Sequence, residues 1–304
     1  MDRVSVVGAG TMGSRIAYQC VLCEKQVALY DLSPDALEKG KGEIRQWLRG
    51  KTTSELAEAA LARLKTCETL AECVAEADIV IENVPEDLAL KRKVFEDLDS
   101  LAPEDTLLAT NSSSIPASQL AEVTGRPEMV LNVNFHNPVA GLYAVEVMRH
   151  AKVTDQTLDR IQQFLVEIKT VPIVTGKEIM GFSFNRVWRA IKRECLHLVG
   201  DGYSNFEDVD RCWLLLFGGE LAPFILMDKV GLDVVRDIEM EYYRDSQDER
   251  DKPPALLDSM INQGRLGVKS GRGFYSYPNP VFEQPGWLMK TAPWTPDQAI
   301  KLDI

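Results

Sequence analysis

The chain has 304 residues and a formal net charge of −12, from 34 Lys and Arg against 46 Asp and Glu. At ~150 residues per domain its length predicts about two domains, and its acidity disfavours nucleic acid and anionic membranes as partners because both repel it. Only 3 histidines are present, which is few for a metal centre, so we predict no metal.

Targeting and redox signals are also weak in this sequence. No apolar run approaches the ~18 to 20 residues that cross a bilayer. The chain opens directly on a strand pattern, which disfavours a signal peptide. Six cysteines are too sparse for a disulfide scaffold and favour a reducing compartment. We therefore predict a cytoplasmic protein.

The first half of the chain alternates short apolar runs with helical periodicity. We predict strands at 4–7, 27–30, 79–81, 106–109, 129–135 and 144–148, and helices at 14–22, about 34–64 and 88–98. Such alternation is typical of the α/β class, with a mainly parallel, doubly wound Rossmann-type sheet that has helices on both faces.

The second half of the chain has helical periodicity only. We predict helices at 182–199, 206–216, 223–230, 234–243 and 255–263. The sequence therefore predicts two domains, an α/β domain over 1–178 and an all-helical domain over 179–304. Prolines are frequent from about 278 onward and predict an irregular tail.

A glycine-rich turn follows the first predicted strand. Gly8, Gly10 and Gly13 form a GxGxxG pattern between that strand and the next helix. In dinucleotide sites the first glycine permits a tight turn, the second admits the pyrophosphate and the third allows close helix packing. We predict that Thr11 and Met12 also bind the cofactor, and that the N–H groups at the start of the helix face its phosphates.

An acidic residue ends the second predicted strand. Asp31 lies 18 residues after Gly13, where a carboxylate accepts hydrogen bonds from the adenosine ribose and repels a 2′-phosphate. No arginine follows in residues 32–34 to bind such a phosphate. The predicted cofactor is therefore NAD rather than NADP.

Motifs further along the chain resemble those of the L-3-hydroxyacyl-CoA dehydrogenase family. They are I-E-N-V-P-E-D-L at 81–88, T-N-S-S-S-I at 110–115, N-P-V at 137–139, V-E-V at 145–147, G-F at 181–182, N-R at 185–186 and G-x-K-x-G-x-G-F-Y at 267–275. The resemblance covers about residues 3–277 in order. It implies an NAD-binding domain followed by a helical domain that commonly mediates dimerisation, so a homodimer is expected.

The resemblance also implies which residues bind the cofactor. Glu86 and Lys91 would lie near the nicotinamide ribose, Asn137 would lie near the nicotinamide, and Asn111 would join them in the cofactor site.

The implied reaction oxidises the 3-hydroxyl of a 3-hydroxyacyl-CoA, or a related 3-hydroxy acid, to a ketone. Hydride passes to nicotinamide while a base removes the hydroxyl proton. By the same resemblance, Ser113 and Asn185 would hydrogen-bond the substrate oxygen, and Glu146 would orient and stabilise the protonated base.

One position departs from the family pattern. The family's base is a histidine twelve residues before the glutamate, and 146 − 12 gives Asn134 here. An asparagine amide can hydrogen-bond a carbonyl but cannot accept a proton near neutral pH. His136 lies two residues further on, and residues i and i+2 of a strand share a face at a spacing of about 6.6 Å.

Three hypotheses follow from this departure. In the first, the protein is an active dehydrogenase with His136 as a relocated base. In the second, the chemistry is slow or altered, and Asn134 and Ser113 only polarise an oxygen. In the third, the protein binds NAD without turnover, as a structural or sensory protein or as a variant whose base was mutated.

The substrate class also stays open at this point. Basic residues concentrate after the second strand, at Lys39, Lys41, Arg45, Arg49 and Lys51. They favour either a surface for the polyanionic CoA or a solvated helix. A smaller hydroxy acid is the alternative substrate, with Arg186 and Arg189 as candidates for its carboxylate.

The remaining histidines are not expected to act in catalysis. We predict that His150 is a solvated surface residue at the end of a strand. His197 falls within a predicted helix, and we expect it to be packed or to lie on a dimer face.

Overall fold

The computed structural model describes residues 1–136 and 143–289. The predicted cofactor residue Asn137 lies outside the described residues. The chain divides into two compact units, Met1–Ser183 and Phe184–Ile304. Across the described ranges, no helix has the length and apolar character needed to cross a bilayer.

The first unit is built on an eight-stranded sheet with the order β3-β2-β1-β4-β5-β6-β7-β8. Its strands are β1 Arg3–Val7, β2 Gln26–Tyr30, β3 Leu64–Thr66, β4 Ile79–Glu82, β5 Leu107–Thr110, β6 Val130–Phe135, β7 Ala144–Met148 and β8 Val171–Thr175. Neighbouring strands are parallel except for the antiparallel pair β6 and β7. The prediction of a mainly parallel Rossmann-type sheet is confirmed.

Helices cover both faces of this sheet. They are α1 Thr11–Leu22, α2 Pro34–Lys51, α3 Ser54–Leu61, α4 Leu70–Val74, α5 Leu88–Leu101, α6 Ala117–Ala121 and α7 Asp155–Glu167. Ile16, Ile44 and Phe164 pack on one face, and Phe95 and Leu120 pack on the other. Burial on both faces explains why the central strands β4 and β5 are mostly apolar.

The predicted helical stretch 34–64 is wrong in its extent. It is broken after α2, because the Thr53 side chain accepts a hydrogen bond from the Leu56 N–H and so caps the start of α3. The stretch then ends in the edge strand β3. This strand has three residues, too few for an alternating pattern to show.

The second unit is helical, as predicted. Its helices are α8 Phe182–Gly200, which begins at the boundary, α9 Phe206–Phe217, α10 Pro223–Val230, α11 Leu232–Ser246 and α12 Ala255–Asn262. Leu196, Phe224 and Leu257 are fully buried in its core.

The glycine-rich C-terminal motif surrounds a buried carboxylate. Asp228 accepts hydrogen bonds from the N–H groups of Phe274 and Tyr275 and from the Tyr277 hydroxyl. A Cβ on Gly273 would lie 2.0 Å from an Asp228 carboxylate oxygen. The motif is therefore a structural connection within the helical unit.

The prediction for His150 is wrong. His150 is only 6% exposed, and its Nε2 forms a hydrogen bond with the Val130 carbonyl oxygen at 2.9 Å. The ring therefore connects the segment after β7 to the start of β6, its antiparallel neighbour. His197 is half-buried on α8, and its Nδ1 lies 3.8 Å from the Asp201 carboxylate one turn later.

Candidate active site

The three glycines of the GxGxxG turn are required for three different reasons. Gly8 has φ +99°, and a Cβ there would lie 2.6 Å from the Asn83 carbonyl oxygen. A Cβ on Gly13 would lie 1.8 Å from the Gly8 carbonyl oxygen, so α1 packs directly on the turn. A Cβ on Gly10 would meet nothing within 4 Å. That open space, beside the exposed Thr11 at the start of α1, can accept a pyrophosphate.

The contact between Gly8 and Asn83 places this turn at a special point of the sheet. It lies at the carboxyl ends of β1 and β4, where the strand order reverses direction. Parallel α/β sheets bind ligands in the crevice at such a point. Met12, the second residue of α1, is half-buried and packs against the core below the crevice.

Asp31 is fixed against the same turn. Its Oδ2 accepts a hydrogen bond from the Ala9 N–H at 2.7 Å, and its Oδ1 accepts one from the Ser33 N–H at 2.8 Å. The carboxylate thus joins the glycine turn to the start of α2. Each carboxylate oxygen has a second lone pair with which to bind a ribose hydroxyl.

A buried ion pair lies beside the crevice. Lys91 is 1% exposed, and its Nζ donates hydrogen bonds to both Glu82 carboxylate oxygens at 2.8 and 3.0 Å and to the Val84 carbonyl oxygen at 3.1 Å. Thr110 donates a further hydrogen bond to Glu82 at 2.7 Å. Lys91 Nζ lies 3.3 Å from Glu86, so the lysine joins both carboxylates. Glu82 was not predicted as a site residue.

Glu86 in turn binds the serine turn, which we define as residues 112–115. The hydroxyls of Ser112 and Ser114 both donate to Glu86 Oε1, the second at 2.6 Å. Burial raises the pKa of Glu86, but these hydrogen bonds and the charge of Lys91 outweigh it and hold the pKa below its usual range. Ser113, between the two bound serines, is exposed.

Two asparagines connect the serine turn region to β6. Asn111 Oδ1 accepts a hydrogen bond from the Phe135 N–H at 2.7 Å. The Asn132 amide donates to the Ser112 carbonyl at 3.2 Å and to the Ile115 carbonyl at 3.0 Å. The turn that carries Ser113 is therefore tied to the strand that carries Asn134 and leads to His136.

His136 pairs with Glu146 across the antiparallel strands. Asn134 is the direct partner of Glu146 in the register of β6 and β7, and His136 is its diagonal neighbour. His136 Nε2 nevertheless lies 3.0 Å from Glu146 Oε2. Glu146 is 2% exposed, and its Oε1 accepts a hydrogen bond from the Ser183 N–H at 2.9 Å. The imidazole is thus oriented by a buried carboxylate that is itself held in place.

Asn134 is 5% exposed on the same strand face as His136. Asn185, the other predicted substrate residue, belongs to the second unit, and its position in the active site stays a prediction. Among the described residues, no group of three or more His, Cys, Asp and Glu side chains is placed to hold a metal ion.

The two groups of basic residues differ in how their charges are used. On α2, Lys41 pairs with Glu38 at 3.7 Å and Arg49 pairs with Glu58 at 2.8 Å. In the helical unit, the Arg189 guanidinium is half-buried. It contacts three partners, Glu239 at 3.2 Å, Asp251 at 2.9 Å and the ring of Tyr242 at 4.2 Å from its centroid. Arg189 is therefore engaged within its own unit.

Comparison with protein families gives two adjacent matches. The model of the 3-hydroxyacyl-CoA dehydrogenase NAD-binding domain matches residues 3–179. The model of the 3-hydroxyacyl-CoA dehydrogenase C-terminal domain matches residues 181–277.

Individual proteins match over most of their length. A probable 3-hydroxybutyryl-CoA dehydrogenase of Bacillus subtilis is 34% identical over 282 residues, 91% of this chain and 98% of that protein. A 5-formyl-3-hydroxy-2-methylpyridine 4-carboxylate 5-dehydrogenase of Mesorhizobium japonicum is 30% identical over 279 residues, 90% of each. The crystal structure of (S)-3-hydroxybutyryl-CoA dehydrogenase from Ralstonia eutropha has a TM-score of 0.84 at 31% identity, covering 92% of this chain and all of that one.

Proposed function

Because this chain belongs to the 3-hydroxyacyl-CoA dehydrogenase family of NAD-dependent oxidoreductases, we propose that it interconverts a 3-hydroxyacyl-CoA and its 3-ketone with His136 as the base. The observation that carries the proposal is the 3.0 Å contact between His136 and the buried Glu146. It supplies the carboxylate-supported imidazole that the reaction requires, two residues beyond the expected position.

The residues divide the reaction between them. Bound NAD would supply the acceptor for the hydride. The open space at Gly10, the start of α1 and the carboxylate of Asp31 fit its pyrophosphate and adenosine ribose. His136 takes up the hydroxyl proton, and Glu146 stabilises the imidazolium that forms. Ser113 donates a hydrogen bond to the substrate oxygen.

The alternatives make different demands on the site. A protein that only binds NAD has no use for a carboxylate held buried against an imidazole. The reading in which Asn134 only polarises an oxygen leaves His136 unexplained. For a smaller hydroxy acid, Arg186 and Arg189 were the candidates to bind the substrate carboxylate. Arg189 is bound by acidic residues of its own unit, so only one of the two candidates remains.

Turnover with 3-hydroxybutyryl-CoA tests the proposal. We expect NADH formation by the parent and a decrease of about 10²- to 10⁴-fold in kcat for His136→Gln, since that is the usual contribution of a general base. His197→Gln in the helical unit is the control and should retain the parent rate. Asn134→His shows whether the family position can still serve as the base.

The outcomes separate the three readings. Full activity in His136→Gln would show that the relocated base is wrong. NAD binding without turnover in the parent and in Asn134→His would favour a protein that binds the cofactor only.

We propose acyl-CoA rather than a small hydroxy acid as the substrate class. The basic residues of α2 support this choice, because Lys39 and Arg45 are exposed and can meet a polyanionic nucleotide. Calorimetry with free CoA tests it. Binding that weakens in Lys39→Glu/Arg45→Glu is expected, whereas no binding of CoA would favour the smaller substrate.

We further propose a cytoplasmic homodimer that forms through the helical unit. Val187, Leu216 and Phe217 are apolar side chains of this unit that are 62%, 74% and 73% exposed, and such exposure supports association. All six cysteines are free thiols, in keeping with a reducing compartment. Light scattering should give twice the 34.0 kDa chain mass, and a monomer mass would contradict the dimer.

A further inference from the structure

Asn132 is a fully buried polar residue that connects β6 to the serine turn. It lies in β6 on the face shared by Asn134 and His136, and its exposure is 0%. Neither the family motifs nor the proposed proton transfer gives it a role.

Every polar atom of the Asn132 amide is used, and every partner lies in one segment. Its Oδ1 accepts a hydrogen bond from the Ala117 N–H at 2.7 Å. Its Nδ2 donates to the carbonyls of Ser112 at 3.2 Å and of Ile115 at 3.0 Å. These three bonds require one acceptor and two donor hydrogens at the end of a short side chain, and only the asparagine amide provides them.

Two of the three hydrogen bonds hold the serine turn on both sides of Ser113, and the third holds Ala117, two residues beyond the turn. Ser112 lies immediately before Ser113 and Ile115 lies two residues after it, while Glu86 binds the neighbouring serine hydroxyls. Ser113 itself is exposed. The backbone on either side of Ser113 is therefore fixed to β6, the strand that leads to His136.

We infer that Asn132 is a positioning residue, which holds the Ser113 hydroxyl at the distance from His136 that the reacting oxygen needs. This inference rests on the proposed function. Asn132 touches neither substrate nor cofactor and acts through Ser113. A misplacement of about 1 Å at a reacting group can reduce the rate about 10²-fold.

A double-mutant cycle between Asn132 and Ser113 tests the inference. Asn132→Asp keeps the acceptor for Ala117 but cannot donate to the two carbonyls when ionised. We expect it to reduce kcat about 10²-fold and to weaken acetoacetyl-CoA binding to the NAD-loaded protein. In the Ser113→Ala background, the same substitution should cost less than about threefold, because coupled residues are not additive.

The controls separate positioning from general support of the fold. Asn262→Asp makes the same chemical change at an exposed end of α12 and should leave every readout unchanged. The Kd for NAD of Asn132→Asp should stay within about twofold of the parent value. If Asn132→Asp does not fold, Asn132→Ser, which keeps one donor, replaces it in the cycle with a smaller expected loss.

Additive losses in the two backgrounds would overturn the inference, as would a tenfold weaker NAD affinity in Asn132→Asp. If the parent binds acetoacetyl-CoA without turnover, the proposed function fails while the coupling measured by binding still decides this inference. A parent that neither turns over nor binds an acyl-CoA would overturn both.

Discussion

Two regions at the carboxyl ends of the parallel strands are constructed by different means. At the cofactor region, the ends of β1 and β2 meet the glycine turn, and its shape depends on the absence of side chains at Gly8 and Gly13. At the reacting region, the carboxyl ends of β5 and β6 and the antiparallel strand β7 are joined through the side chains of Asn132, His136 and Glu146. The cofactor region is defined by backbone sterics, and the reacting region by directed hydrogen bonds.

This difference predicts that the two regions tolerate change unequally. A steric requirement allows one residue type, because a Cβ either fits or does not. A hydrogen-bonded pair requires only that donor and acceptor meet, and a diagonal neighbour across two strands can do so. The two regions should therefore respond to mutation through different measurements.

The largest effect is expected at the reacting region, in Glu146→Gln. Glutamine can still accept from the Ser183 N–H, but it has no charge to stabilise the His136 imidazolium. We expect kcat to fall about 10²- to 10⁴-fold while the Kd for NAD stays unchanged. Steady-state kinetics and calorimetry measure the two, with the exposed Glu104→Gln as control. An equal change in both would contradict the separation of the regions.

Gly13→Ala is expected to have the next largest effect, at the cofactor region. Its Cβ would lie 1.8 Å from the Gly8 carbonyl, and overpacking of this kind costs roughly 1–3 kcal/mol or more. We expect NAD affinity to weaken by about 10²-fold. In Gly42→Ala on α2 the Cβ meets nothing within 4 Å, and the melting temperature should rise slightly. If both variants bind NAD like the parent, the steric account is wrong.

Asp31→Asn should have a smaller effect. The neutral amide keeps an acceptor oxygen but loses the charge, and a hydrogen bond to a charged group is worth about 1.5–3 kcal/mol. We expect the Kd for NAD to rise about tenfold and discrimination against NADP to decrease, while kcat at saturating NAD is unchanged. A reduced kcat at saturation would mean that the cofactor region also sets the reaction geometry.

The smallest effect is expected in acid, at Glu86, which lies between the two regions. Its pKa is lowered, so its stabilising contribution is complete above the unfolded-state value near 4.5 and is lost as pH falls through the lower folded value. The melting temperature of the parent should therefore fall more steeply below about pH 4.5 than that of Glu86→Gln. Glu104→Gln should behave like the parent. If the melting temperatures of all three proteins fall equally steeply with pH, Glu86 does not contribute to stability in this range.

The same contrast shows what could be predicted from sequence. The glycine turn, Asp31 and most strands were predictable, because close backbone contacts and apolar runs leave local patterns. The structure confirms the Rossmann-type sheet. Helix α7 and strand β8, which follow β7 in the sequence, were not among the predicted elements. The strand contains Pro172 and none of its residues is buried, so it lacks the pattern of a central strand.

Side-chain partners were less predictable, because they depend on which strands become neighbours. No local sequence pattern distinguishes the buried Glu82 from the surface carboxylates of this acidic chain. Its partner Lys91 lies nine residues further along the sequence. His150 was expected in solvent because it follows a strand, yet its ring reaches the backbone of Val130 on a neighbouring strand. Asn132 looks like an ordinary polar residue until the serine turn is seen beside it.

The antiparallel register of β6 and β7 also limits how such a site can evolve. Phe135, between Asn134 and His136, is 3% exposed in the core on the opposite face of β6. A histidine can therefore migrate along this strand only in steps of two if it is to keep Glu146 as its partner. Such a step needs only two substitutions, at positions 134 and 136, and leaves Glu146 unchanged. An ancestor with histidine at both positions would connect the two arrangements without an inactive intermediate.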